Sequence, residues 1–303
     1  MSNIIFGPIT SRRFGQSLGI DLSPTHKQCN FDCLYCELKG AKTVEKAIDT
    51  PSVESILDEL DKALKQQSHI DVITLTANGE PTLYPDLERL IEGIQAFKGA
   101  HKLLILSNGS TIADPHMQTI LSKIDIVKLS LDCVEPACFK KLDRAHQGID
   151  IRNIVEGMKA FRAMYQGELV VEILVVEGLN DTPEAFQALN TALQSIQPNR
   201  IDIGTIDRPP AYGVKGVSVE RLMELSAYVE GLHVNIAYAK HYSAPKRLFS
   251  EEAIVALLKR RPQSFEDVRL CFDDESLKHL QALVEAKRVH VTFIAGVGFY
   301  TSE

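Results

Sequence analysis

Asp71-Val-Ile-Thr-Leu-Thr76 runs without a break into Ala77-Asn78-Gly79-Glu80-Pro81, and a helical pattern follows from Pro85 to about Ala96. A β-branched apolar run closed by Gly and Pro reads as a strand ending in a turn. With the helix behind it, the stretch is one βα unit. The same arrangement recurs on both sides. Ser17–Leu22 leads into a cysteine-rich loop, and Ser52–Gln67 is a helix with Ile56, Leu57, Leu60 and Leu64 on one face. Downstream strands are expected at Lys102–Ser107, Ile126–Leu131, Leu169–Val176 and Arg200–Thr205. Alternating strands and helices predict a parallel α/β sheet. About six such units fall short of the eight of a closed barrel, so the expected fold is a partial (β/α)6 TIM-like barrel over residues 1–240. Its informative residues gather behind the strands, on the face where such barrels build active sites.

The tail reads differently. Ser250–Arg260 is a short amphipathic helix, Ser264 caps a second through Leu270, and Asp274 can cap a third. Val289–Ile294 and Val297–Tyr300 then read as a β-hairpin. Three short helices and a hairpin predict a small winged-helix-like domain over residues 248–303. That segment carries seven Lys and Arg against nine Asp and Glu, and Asp273-Asp274-Glu275 opens its third helix. Acids at that end would meet phosphates, so DNA binding is not expected. A structural cap or a module presenting protein or substrate fits better.

The whole composition agrees with a folded, non-membrane protein. Of 303 residues, 45% are hydrophobic and 24% charged, with a net charge of −7. The acidic balance argues against a protein built on sequence-independent phosphate contacts. No uncharged apolar run reaches the ~18–20 residues of a membrane span, and the start lacks a signal-peptide pattern. The expected location is the cytoplasm.

Three of the six cysteines lie within eight residues, Cys29-Asn-Phe-Asp-Cys33-Leu-Tyr-Cys36. In a reducing compartment such a cluster points to metal or catalysis rather than to bridges. Three readings are open: buried structural thiols, a zinc site completed by His26, or a 4Fe–4S cluster on three thiolates with one iron left for a ligand. Cys133 and Cys138 are two ligands at most, so apolar packing is expected, with a redox part for Cys133 as the alternative. Cys271 reads as core. Arg12 and Arg13 could clamp an anionic substrate or a carboxylate, and Arg208, before two prolines on the same face, is a candidate substrate contact.

The C-x3-C-x2-C spacing, with Tyr35 just before the last cysteine, resembles the signature of the radical S-adenosylmethionine superfamily. Thr76-Ala-Asn-Gly79-Glu80-Pro81 stands where that family carries Gly-Gly-Glu-Pro, with Asn78 in place of the first glycine. Ser11-Arg12-Arg13, Ser17–Asp21, Asn78–Leu83 and Asp207-Arg208-Pro209-Pro210 look like its wyosine-synthase-like branch. This chain has no cysteine before Cys29, so that branch's additional cluster cannot form.

The resemblance implies a 4Fe–4S cluster on Cys29, Cys33 and Cys36 and S-adenosylmethionine bound at its open iron. It puts Gly79 and Glu80 at the methionine end, and Tyr35, Asn108, Ser130 and Asp132 at the nucleoside end. It implies reductive cleavage to a 5′-deoxyadenosyl radical, which abstracts hydrogen from a substrate the sequence does not name, a transfer-RNA base or other nucleotide-like molecule being one candidate. A low-potential donor such as flavodoxin or ferredoxin is implied as partner. The rival reading is a zinc- or iron–sulfur-containing nucleic-acid-binding or sensor protein without turnover.

Overall fold

The computed structural model describes residues 4–11, 13–67, 69–236, 246, 248–260, 262–294 and 297–302. Arg12 lies outside them, as does most of the expected boundary between residues 240 and 248.

Eight strands form one sheet in sequence order: β1 (Ile5–Ser11), β2 (Gly15–Asp21), β3 (Val72–Thr76), β4 (Lys102–Ser107), β5 (Ile126–Ser130), β6 (Glu168–Val175), β7 (Arg200–Thr205) and β8 (Val234–Ile236). β1 is antiparallel to β2, and every later neighbour is parallel. Between them run α1 (Val53–Gln66), α2 (Leu87–Phe97), α3 (Pro115–Leu121), α4 (Pro136–Leu142), α5 (Ile151–Met164), α6 (Pro183–Ile196) and α7 (Val219–Ser226). The six expected strands are β2 to β7, and the sheet is a partial TIM-like barrel.

Local chemistry sets the helix starts. Ser52, Asp114, Asp150, Thr182 and Ser218 each accept a hydrogen bond from a first-turn amide, satisfying donors that the helix itself leaves open. Pro115, Pro136 and Pro183 stand at helix starts, where a missing N–H costs nothing.

The pleat divides the strand residues. Val127, Leu129, Val171 and Ile173 face the helices in the large core. Val72, Leu104, Ile126 and Val170 face inward instead and close on Phe14 as an apolar floor. Above that floor the inward positions turn polar or open. Leu106, on a central strand, is 37% exposed, so the lumen of the barrel is open to solvent.

The tail comprises α8 (Glu251–Arg260), β9 (Gln263–Ser264), α9 (Phe265–Cys271), α10 (Asp274–Glu285), β10 (His290–Ile294) and β11 (Val297–Thr301), with β11 between β10 and β9. The three helices and the hairpin stand where the sequence puts them, and β9 is an addition. Ser264 caps α9 with a full capping box. α10 is capped by Asp273, one residue before the expected Asp274. Ile254, Leu258, Phe272, Leu280 and Leu283 form a second hydrophobic core, which Ile9 of β1 touches.

Candidate active site

The end of β3 and the cysteine loop are joined by backbone. Gln28 and Gly79 form a bridge. The Gln28 amide donates to Asn78 O (2.8 Å) and the Glu80 amide to Gln28 O (3.0 Å). Gly79 has φ +144°, and a Cβ there would fall inside the Gln28 carbonyl. Glycine is required by both its backbone angle and the close approach. This contact seats Cys29 directly above the strand ends.

The rest of the loop is tied to the end of α4. Leu34 donates to Leu142 O (2.9 Å) and Asp32 to Asp143 O (3.2 Å). Cys29, Cys33 and Cys36 are free and partly buried. Their surroundings differ. The Cys29 sulfur accepts from the Phe31 amide (3.3 Å) and from Asn108 Nδ2 (3.7 Å). The Cys36 sulfur accepts from Lys27 Nζ (3.5 Å), while the Cys33 thiol donates to Asp143 Oδ1 (3.7 Å). Burial, then the negative charge of Glu80, pushes the Cys29 thiol up to about 12. Burial, then Asp143, pushes Cys33 well above its ordinary value. Both shifts favour the neutral thiol in the absence of a bound cation.

Three sulfurs with N–H donors aimed at two of them suit an iron–sulfur cluster. A zinc ion fits less well. His26 is exposed and its ring faces Thr25 (3.1 Å) and Asp49 (3.3 Å) rather than the thiols.

Tyr35, Asn108, Ser130 and Asp132, predicted from four separate loops or strand ends, line one cavity, together with Cys133 and Asp143. Phe31 and Phe139 line it too, edge to face with centroids 5.4 Å apart. Asp132 accepts from the Tyr35 hydroxyl and, through Oδ1, from the Leu174 amide (2.7 Å). Burial pushes it up to about 7 in spite of these donors.

Glu80 is buried. Its Oε1 accepts from the Thr82 amide (3.0 Å), Thr82 Oγ1 (2.7 Å) and Ser107 Oγ (2.7 Å), and Oε2 accepts from the Asn108 amide (2.7 Å). The last of these bonds holds the Asn108 backbone in place. Asn108 in turn links the loop to the cavity, bonding Asn30 Oδ1 (2.9 Å) as well as the Cys29 sulfur.

The three arginines fare differently. Arg12 is outside the described residues. Arg13 enters the barrel lumen, where it pairs with Glu172 and lies 3.4 Å from Asp202. Arg208 does not reach the cavity. It is buried, donates to Pro262 O, and lies 3.6 Å from Glu37 and 3.5 Å from Asp267. These partners tie the barrel to the tail, which leaves no guanidinium edge for a substrate.

The structure also corrects the expectation for Cys133 and Cys138. They form a disulfide with Cα atoms 5.8 Å apart, inside the bridging range. The turn that starts α4 brings them together, which spacing alone does not reveal.

Sequence reasoning missed the lumen. Lys128 Nζ lies 2.7 Å from Glu172 and 3.3 Å from Asp202. Burial works to raise Glu172, but Lys128 and Arg13 overcome it and hold the carboxyl at about 2. The available signal was a lone charge inside each of two apolar strands, Ile126-Val-Lys-Leu-Ser130 and Leu169-Val-Val-Glu-Ile-Leu174.

The radical SAM superfamily profile matches residues 23–189, from the cysteine loop through the first half of α6. The chain belongs to that superfamily. This radical SAM protein is 41% identical over 300 residues to a UPF0026 protein of Helicobacter pylori, covering 98% of this chain and 97% of the other, which places it in the UPF0026 family as well. It is 26% identical to a "Probable GTP 3',8-cyclase" of Saccharolobus solfataricus, over 82% of this chain and 76% of that one. The fold is similar to the crystal structure of Streptococcus suis SuiB bound to S-adenosylmethionine, with TM-score 0.55 and 17% identity. That match covers 70% of this chain but spans only 49% of SuiB. The radical SAM protein is therefore an enzyme, and S-adenosylmethionine-dependent radical chemistry comes with the superfamily. No helix among the described residues is long and apolar enough to cross a membrane.

Proposed function

We propose that this enzyme holds a 4Fe–4S cluster on Cys29, Cys33 and Cys36, binds S-adenosylmethionine beside it, and abstracts hydrogen from a nucleotide-like substrate. The observation that carries this reading is one of placement. Three free thiols and a cavity lined by Tyr35, Asn108, Ser130 and Asp132 share Asn108 as a common wall. Cys29, Cys33 and Cys36 would hold the cluster, which when bound and reduced would supply the electron for reductive cleavage of S-adenosylmethionine.

The chain's own residues do the rest. Gly79 lets the β3 loop approach the cysteines, and Glu80 fixes Asn108. Asp132 is set to accept a ribose hydroxyl in exchange for that of Tyr35. Phe31 and Phe139 keep the wall of the cavity apolar. The lumen below carries Arg13, Lys128 and Glu172, which suits a polar substrate. The similarity to a protein named for GTP supports a nucleotide over a lipid or a hydrocarbon. In this reading the enzyme works in the cytoplasm with flavodoxin or ferredoxin as its electron donor.

The test is anaerobic. Protein reduced with dithionite and given S-adenosylmethionine should release 5′-deoxyadenosine and methionine, and the cofactor should alter the paramagnetic resonance spectrum of the cluster. A full cluster that neither responds to the cofactor nor cleaves it would move the protein to a sensor or carrier role.

A further inference from the structure

Lys27 stands two residues before the first cysteine, on the stretch that Gly79 pins down. Its side chain is only 7% exposed, and Nζ lies 3.2 Å from Asp32 Oδ1 and 3.5 Å from the Cys36 sulfur. A buried ammonium is costly unless paired, and here the pairing is shared. Asp32 also accepts from the Tyr212 hydroxyl (2.5 Å) and lies 3.2 Å from Arg144. The Ala41 amide donates to Oδ1 as well (3.4 Å), so the charge of Asp32 is divided among four donors. The remaining partner of Lys27 is the sulfur of Cys36. Among the described residues, Lys27 is the only cation that hydrogen-bonds one of the three cysteines. The donors to Cys29 are a neutral amide and a carboxamide, and Asp143 accepts from Cys33.

We infer that Lys27 is a positioning residue that sets the reduction potential of the cluster, through a cationic N–H held on the Cys36 sulfur. The inference rests on the cluster reading proposed above. Potentials of iron–sulfur centres follow net charge, hydrogen bonds to sulfur and exposure. Adding an electron makes the sulfurs more negative, so a fixed cation beside one of them favours the reduced form. The surrounding geometry keeps that cation in place: Asp32 orients the ammonium, and Tyr212 and Arg144 orient Asp32. The consequence is chemical rather than structural. The enzyme's low-potential electron enters more readily, and Cys36 is the ligand at which the protein exerts that control.

The experiment is a potentiometric titration of the reconstituted holoenzyme, followed by paramagnetic resonance, for the parent, Lys27→Met, Lys27→Gln and Lys27→Arg. Iron and sulfide are counted in each. Lys27→Met and Lys27→Gln should keep the cluster and lower its midpoint so that the reduced-to-oxidised ratio at a fixed potential falls about tenfold, ~59 mV for a one-electron couple. Lys27→Arg should restore most of the shift. An unchanged midpoint in the neutral variants overturns the inference and leaves the cluster reading standing. So does loss of the cluster from both, since Lys27 would then serve assembly. A parent chain that binds no four-iron cluster overturns both together.

Discussion

Gly79 is the residue on which the site turns, because the β3 loop can meet Gln28 only if no side chain intervenes. Gly79→Ala should lower stability by at least ~2 kcal/mol in urea unfolding and reduce iron uptake. Equal stability would mean that the loop relaxes freely. Two carboxyls of the barrel, buried Asp132 and half-buried Glu172, give opposite pH signatures. Asp132 is raised by burial to about 7, so its contribution is complete below ~4 and is lost as pH rises through about 7. Glu172 is held down at about 2 by Lys128 and Arg13 against its burial, so its contribution is present above ~4.3 and is lost as pH falls toward about 2. Urea midpoints of Asp132→Asn should therefore lose part of the decline between about pH 4 and 7. Those of Glu172→Gln should lose part of the acid decline. At neutral pH Glu172→Gln should cost about 1.5–3 kcal/mol, the scale of a charged hydrogen bond, because buried Lys128 and half-buried Arg13 would then share Asp202 alone. Unaltered pH slopes would contradict both assignments. Asp132→Ala should also weaken S-adenosylmethionine binding roughly tenfold to a hundredfold in anaerobic titration; equal affinity would make Asp132 purely structural.

Among the elements, the strands that carry a clean apolar run are the ones legible in the sequence. β2 to β7 fall where Ser17–Leu22 through Arg200–Thr205 point. β1 was missed because Gly7 and Pro8 interrupt it and read as a turn, and its pairing with β2 shifts register between Phe6 and Ile9. β8 is only three residues long. The candidate site was legible, in its placement, wherever its residues sit at the end of a strand, as with Cys29–Cys36, Asn78–Pro81, Asn108 and Asp132. It was illegible where a role depends on which way a strand faces, as with Lys128, Glu172 and Asp202, or on a fold-back, as with Lys27. Arg208 shows the same limit. Its position behind β7 fits a substrate contact, yet the tail packs over it. Arg208→Met should therefore act on the junction of the two units. It should cost about 1.5–3 kcal/mol, the scale of a charged hydrogen bond, and should speed limited proteolysis near residues 246–250. A variant as protease-resistant as the parent would show that the tail docks without it.

On the scale of the whole molecule, the open barrel brings four kinds of surface to one end. These are a thiol loop, a small cavity with an aromatic wall, a charged lumen, and a tail fastened through Arg208. No single segment holds the complete site, and the parallel sheet sets their order. What the three thiols bind decides the chemistry of the site. Anaerobically reconstituted protein should contain about four iron and four sulfide per chain, with absorbance near ~400 nm. Alanine at any one of Cys29, Cys33 or Cys36 should abolish that content, whereas alanine at Cys133, Cys138 or Cys271 should leave it intact. Stoichiometric zinc without that absorbance, or iron that survives loss of one of the three ligands, would contradict the cluster reading.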